Sequence, residues 1–211
     1  SDIAPARLSQ QQLDDLEQQG GVADVLPMTP VQEGLLFHAT TAEAGGDLYA
    51  GQLDIGVSGQ LDVERLRAAV RAAVVRHPHL VASFHSRFGQ PVQVIPADPE
   101  ISWQYLELDS DAPLADIRAT ERAAVCDLGA GAVFRAALIR VAPDRYRFVL
   151  TNHHIVLDGW SMPILLAEIF AGYHGHRLPP ATPYRNYVSW LAERDRHAAT
   201  AAWGELLRGL D

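Results

Sequence analysis

The chain holds one cysteine, Cys126, in 211 residues, so no internal disulfide can form and the composition fits a reducing cytoplasm. No apolar run approaches the ~20 residues that a membrane span requires, and Ser1 to Gly20 lacks the basic-then-apolar plan of a signal peptide. Basic clusters are missing as well, and a formal net charge of −9 argues against nucleic acid as the main partner. With neither a Cys pair nor an HExxH, a zinc site would be short of its third ligand. There is no GxSxG elbow, since Ser161 lies in DGWSMP, and this sets serine hydrolysis aside. Internal repeats and low-complexity segments are also absent.

What remains is a chain that is 48% hydrophobic and 20% charged, enough to bury a core the size of one domain. Helices and strands alternate along it. Pro30 to Thr41 reads as a helix opened by proline, with Val31, Leu35 and His38 on one face. Val63 to Arg76 carries a buried stripe of Leu66, Ala69, Val70, Ala73 and Val74. Leu114 to Cys126 reads as a further helix, with Cys126 packing beside Ile117, Ala124 and Val125. Strands are expected at Tyr49 to Val57, Leu80 to Arg87, Pro91 to Ile95, Ser102 to Leu108, Val133 to Val141 and Tyr146 to His153, the last one central because it is apolar on both faces. A final helical stretch spans Ala198 to Leu210. The pattern predicts a layered α/β lobe with a mixed sheet flanked by helices. Residues 1–22, polar and with Leu8, Leu13 and Leu16 as their regular apolar positions, read as an interdomain linker containing a short helix.

The most informative residues follow that central strand. His153 and His154 stand where the strand RYRFVLT gives way, at Gly159, to a helix with apolar positions Met162, Leu165, Leu166, Ile169, Phe170 and Tyr173. Neighbouring side chains on a strand point to opposite faces, so only one of the two histidines can serve a reactive space while the other packs or hydrogen-bonds inside. Asp158, in an apolar run, would be costly to bury without a cation and so is expected to fasten the turn through an arginine. Gly159 permits an unusual backbone conformation and close approach of a substrate.

HHIVLDG resembles the HHxxxDG signature of the condensation-domain superfamily, to which chloramphenicol acetyltransferase and the condensation domains of nonribosomal peptide synthetases belong. Three further segments, LPMTPVQEGLLFHA (Leu26 to Ala39), RHPHLVASF (Arg76 to Phe84) and YRNYVSW (Tyr184 to Trp190), resemble the first, second and fourth motifs of peptide-synthetase condensation domains, in the family's order. The second motif usually reads RHxxLRxxF; Val81 stands at its second arginine, which leaves Arg76 as the expected partner of Asp158.

The resemblance implies a chloramphenicol-acetyltransferase-like fold and, since the family's domain is roughly twice this length, that residues 23–211 form its N-terminal lobe without the C-terminal one. It implies His154 as the catalytic histidine, acting as base or by positioning, with Gly159 where the acceptor amine approaches and His153, Asp158 and Arg76 as structural parts of the site. Trp160 and Ser161 would line a channel or pack. The implied reaction joins a donor acyl group to an acceptor aminoacyl amine, both tethered as phosphopantetheine thioesters on peptidyl carrier domains, with no cofactor or metal bound by this chain. TPVQEGLLFH and Leu157 further resemble domains that take a donor with a D-configured terminal residue. Two other functions fit the same signature: an acyltransferase using free CoA thioesters, and a noncatalytic module that docks carriers or neighbouring synthetase domains.

Overall fold

The computed structural model describes residues 21–41, 48–108 and 113–209, together with residues 6, 8, 9, 11, 12, 14 and 16. The chain runs β1 (Val22–Pro27), α1 (Pro30–Thr41), β2 (Ala50–Ser58), α2 (Val63–Arg76), a 3₁₀ turn (Pro78–Val81), β3 (Ser83–His85), β4 (Val92–Pro96), β5 (Ser102–Glu107), α3 (Leu114–Ala124), β6 (Phe134–Ala142), β7 (Arg145–His153), α4 (Ser161–Tyr173), α5 (Tyr184–Ala192) and α6 (Arg196–Leu206).

Two helices follow directly from their apolar stripes. In α2 the residues Leu66, Ala69, Val70, Ala73 and Val74 are all buried, and Asp62 caps the helix by accepting from the Arg65 amide at 2.9 Å. In α4 Leu165 and Ile169 are buried, with Met162, Leu166, Phe170 and Tyr173 packed around them. The two stripes meet each other and one face of a four-stranded sheet, where Phe134, Leu138, Phe148 and Leu150 complete the main core. At roughly 2 kcal/mol for each fully buried Leu, Val or Phe side chain, this layer supplies most of the driving force for folding.

That sheet has the order β2-β7-β6-β5, antiparallel except for the parallel β5–β6 pair, so it is mixed as expected. Interior strand β7 explains its own double-sided apolar pattern. Phe148 and Leu150 face α2 and α4, while Val149 joins Ala137, Ile139 and Leu114 under α3 on the opposite face. Helix α3 is also tied to the sheet by charge, through a two-bond Arg135–Glu121 pair at 2.9 Å and an Arg118–Asp54 pair at 2.9 Å. Cys126, just beyond α3, is partly buried and its Sγ lies 3.5 Å from the Arg122 carbonyl.

A second sheet, β1-β4-β3, is antiparallel and packs with α1 and α5 around Leu26, Met28, Phe84, Ile95, Ile155 and Val188. Strand β1 is absent from the sequence expectation. Residues expected as one strand, Leu80 to Arg87, divide instead: Pro78 opens a 3₁₀ turn that buries Leu80 and Val81, and only Ser83–His85 pair with β4. Of the three residues expected to share one face of α1, Leu35 packs inward and the other two do not. Val31 and His38 point outward, and the inward positions are Gln32, Leu35, Leu36 and Ala39, a helical i, i+3, i+4, i+7 set led by a polar residue.

In the expected linker, Ala6 and Leu16 are buried against Val25, Phe88, Val92 and Val94, so these described positions belong to the edge of the small sheet. Residues 11, 12, 14 and 16 are helical, whereas Leu13 and, at the other end, Leu210 lie outside the described residues. Among the described residues, no helix is long and apolar enough to cross a membrane.

The 3₁₀ turn and α5 are joined by a stack of His79 on Tyr184, with ring centroids 4.4 Å apart and 19° between planes. Burial, and secondarily the nearby His77, lower the His79 pKa from its ordinary value of 6.5 to about 4. The unfolded chain therefore binds the extra proton first, and stability is complete above pH 6.5 and falls as pH drops toward 4. Urea unfolding between pH 7 and 4 should lose up to about 3 kcal/mol through this group, and His79→Phe, which keeps a stacking ring, should flatten that part of the profile. An unchanged pH slope in His79→Phe would show that His79 titrates normally.

Candidate active site

Strand β7 ends with Thr151, Asn152 and His153 fully or almost fully buried, and the alternation of the strand turns the next side chain, His154, to the exposed side. The two histidines divide as the sequence requires. Nδ1 of His153 accepts from the Ile155 amide at 3.0 Å, and a ring nitrogen that accepts carries no proton there. His153 is thus a buried brace for the chain just after it.

His154 is held from three sides. Its backbone N–H extends the β2–β7 ladder by donating to the Tyr49 carbonyl at 2.9 Å. Its ring Nδ1 lies 3.2 Å from the Leu157 carbonyl oxygen. A carbonyl can only accept, so the ring proton sits on Nδ1 and the Nε2 lone pair is left for something else. Nε2 lies beside Gly51 on β2, where an added Cβ would stand 3.6 Å from it.

The turn itself is closed by its own carbonyls. Leu157 O also accepts from Asn152 Nδ2 at 3.3 Å, and His153 O accepts from the Val156 amide at 3.2 Å. Ile155 O accepts at 3.0 Å from the side-chain amide of Gln32, on α1, which is only 6% exposed. Gln32 was missed in the sequence reading. The signal was present as Thr29-x-x-Gln32, a capping pair ahead of an apolar run, and the structure forms it: the Thr29 amide donates to Gln32 Oε1 at 3.0 Å and the Gln32 amide to Thr29 Oγ1 at 3.2 Å.

Asp158 holds the turn differently from expectation. It is exposed, its Oδ1 accepts from the Ser161 amide at 2.8 Å, and its backbone carbonyl accepts from Met162 at 3.1 Å, so it caps the start of α4. The Ser161 side chain and amide beside it hold its carboxyl below the usual range. The expected partner, Arg76, donates instead to Glu168 at 3.0 Å, and His77 contacts the same carboxylate at 2.6 Å. The reason is geometric: Arg76 ends α2, which packs along α4, and Glu168 lies ten residues beyond Asp158, about 15 Å farther along. Arg76 anchors the helix that Asp158 starts.

Gly159 is corrected in the same way. It does not adopt the left-handed conformation, and a Cβ there would meet nothing within 4 Å, so what the glycine keeps is open space beside the turn. Trp160 is 89% exposed and Ser161 is exposed too, so neither packs into the described part of this chain. Among the described residues no group of three or more His, Cys, Asp or Glu could hold a metal ion.

The family profile described as Condensation domain matches residues 22–211. Bacitracin synthase 3 of Bacillus licheniformis is 35% identical over 200 residues, covering 90% of this chain and 3% of that protein. Vanchrobactin synthetase VabF of Vibrio anguillarum is 35% identical over 201 residues, covering 89% of this chain and 7% of its own length. Among solved structures, the starter condensation domain of rhizomide synthetase RzmA superposes with a TM-score of 0.72 at 20% identity, over 89% of this chain and 48% of that one. The condensation domain from Monacolin K polyketide synthase MokA gives 0.71 at 17% identity, over 88% and 41%. The last two establish a shared fold, and this chain spans a little under half of each.

Capping by Asp158 has a measurable size. Asp158→Ala should cost about 1 kcal/mol of unfolding free energy and Asp158→Asn much less, as for a helix cap. A loss of about 3–5 kcal/mol would instead signal a broken ion pair.

Proposed function

Because this chain belongs to the condensation-domain family, we propose that it is the histidine-bearing half of a peptide-synthetase condensation domain, joining a carrier-bound donor to the amine of a carrier-bound acceptor. The observation that carries this reading is the state of His154: Nδ1–H is fixed on the Leu157 carbonyl, and the Nε2 lone pair lies on the exposed side next to Gly51.

The acceptor amine attacks the donor thioester carbon, the C–N bond forms, the C–S bond breaks, and the phosphopantetheine thiol leaves. The proton lost by the amine is accepted at His154 Nε2 and passes to the departing thiolate. Positive charge that develops on the ring is shared with the Leu157 carbonyl through the Nδ1–H bond, so the same contact that sets the tautomer stabilises the charged form. No protein nucleophile takes part. Open space at Gly159 admits the acceptor arm, and Trp160 and Ser161 stand at the start of α4 where they border its path. Phosphopantetheine arrives on the carriers as part of the substrates.

A second lobe completes the site. The chain spans a little under half of the solved condensation domains it resembles, and large apolar side chains stand exposed near the turn and beyond it: Leu48 (94%), Trp160 (89%), Ile164, Phe37 and, farther along, Trp203 and Leu206. These faces are what a packed second lobe would cover. The isolated chain is accordingly expected to be inactive. TPVQEGLLFH and Leu157 favour a donor whose terminal residue has the D configuration, and the peptide-synthetase relatives favour carrier-bound substrates over free CoA thioesters.

The experiment is intact-protein mass spectrometry of the carriers after mixing donor-loaded and acceptor-loaded carriers with this chain extended through its downstream half. Amide product should appear on the acceptor carrier, faster with a D-configured than an L-configured donor, and His154→Ala should slow it by at least about 100-fold. Undiminished transfer by His154→Ala would remove the histidine from the reaction, and no transfer with intact carrier binding would make the chain a docking module.

A further inference from the structure

We infer that Gln32 is a positioning residue for the reaction proposed above, acting on His154 through the turn between them; the inference deepens that reading and rests on it. All four hydrogen-bonding positions of the Gln32 amide are taken. Oε1 accepts from the Thr29 amide at 3.0 Å and from Gln93 Nε2 at 3.1 Å, while Nε2 donates to Ile155 O at 3.0 Å and toward Gln93 Oε1 at 3.4 Å. Gln93, 1% exposed, also donates to the Pro27 carbonyl at 3.1 Å. The Tyr184 hydroxyl lies beside both glutamines, and burial raises its pKa while their side chains oppose the rise.

One small network therefore joins α1, β1, β4, α5 and the turn after β7. Of its described members, Gln32 is the one that donates a hydrogen bond to a carbonyl of that turn. Ile155 is the residue next to His154, and two positions farther on is the Leu157 carbonyl that fixes the His154 ring. The peptide between these contacts is also tied at the Ile155 and Val156 amides, both to His153. Releasing Ile155 O would leave a buried carbonyl unpaired and let the turn rotate, carrying the Leu157 oxygen away from Nδ1. Only a side chain that donates and accepts fills the position. An ionised carboxylate would set an oxygen against Ile155 O, and a hydrocarbon would pair with nothing.

The test uses Gln32→Leu, Gln32→Glu and, as the control that leaves Ile155 O paired, Gln93→Leu, all in the chain extended through its downstream half. Gln32→Leu should lower kcat by about 10- to 100-fold with KM for the carriers little changed, while Gln93→Leu, destabilising the same network, should keep most of kcat. Burial raises the pKa of the carboxyl introduced by Gln32→Glu, and its protonated form can donate to Ile155 O. The kcat of folded Gln32→Glu relative to wild type should consequently fall as pH rises through that pKa; ionising the buried carboxyl also lowers stability over the same range, so the folded fraction is measured at each pH and divided out. Hydrogen exchange supplies the readout independent of activity: in Gln32→Leu the amides of His154, Ile155 and Val156 should exchange about tenfold faster or more, with the β6–β7 ladder unchanged. If wild type makes no amide, the functional reading fails while the exchange result still decides the clamp. Unaltered exchange at these three amides, or an unaltered kcat in folded Gln32→Leu, overturns the inference.

Discussion

Burial of His153 at the end of an interior strand is the constraint on which the site depends. Strand side chains alternate with a period of two, so burying His153 on one face puts His154 on the other, where β7 ends and the side chain is exposed, and a one-residue slip would exchange them. The register that prevents this slip runs the length of β7. Phe148 and Leu150 are fixed in one core and Val149 in the other, and the ladder to β2 is unbroken from Ser58↔Arg145 to Ala50↔His153. The reactive geometry is thus secured by a hydrophobic pattern several residues before it.

Beyond the strand, where no ladder remains, the chain is held by polar contacts that each use a different element. His153 supports the Ile155 amide from below, Gln32 takes the Ile155 carbonyl from α1, the Leu157 carbonyl collects Asn152 and His154, and Asp158 turns the chain into α4. Helix α4 is in turn anchored ten residues on by Arg76 and His77 through Glu168. The stretches that resemble four separate family motifs are therefore parts of one mechanical support. Charge is used to pin helices, through Glu168, Glu121 and Asp24 with Arg185, while the turn is held by neutral amides, carbonyls and an imidazole up to its exit, where the Asp158 carboxylate caps α4.

The helices and strands legible in the sequence were those whose pattern is local. The stripes of α2 and α4, the two-faced β7 and the opposed histidines all follow from periodicity, and they were read correctly. What sequence could not reveal was the partner of each buried polar group. Arg76 and Asp158 were paired because an acid in an apolar run was read as needing a cation and Val81 left Arg76 as the arginine of the second motif, yet the packing of α2 along α4 brings Glu168 to Arg76, and the exposed Asp158 is served by the Ser161 amide. Gln32 was not singled out: the face read for α1 was Val31, Leu35 and His38, whereas Val31 is 71% exposed and Gln32 only 6%. For β1, the short VADVL run stands next to a polar segment and gains its strand character from pairing with β4.

The central claim, that the backbone sets His154 in the state needed to accept a proton, can be tested on the 211-residue chain without any substrate. ¹⁵N NMR of the imidazole at neutral pH distinguishes the two neutral tautomers and the charged form. The account predicts a His154 ring protonated on Nδ1, with an unprotonated Nε2, shifting when the turn is perturbed. A ring protonated on Nε2, or one averaging freely between tautomers, would mean that the Leu157 carbonyl does not hold it, and the mechanism built on that contact would fall.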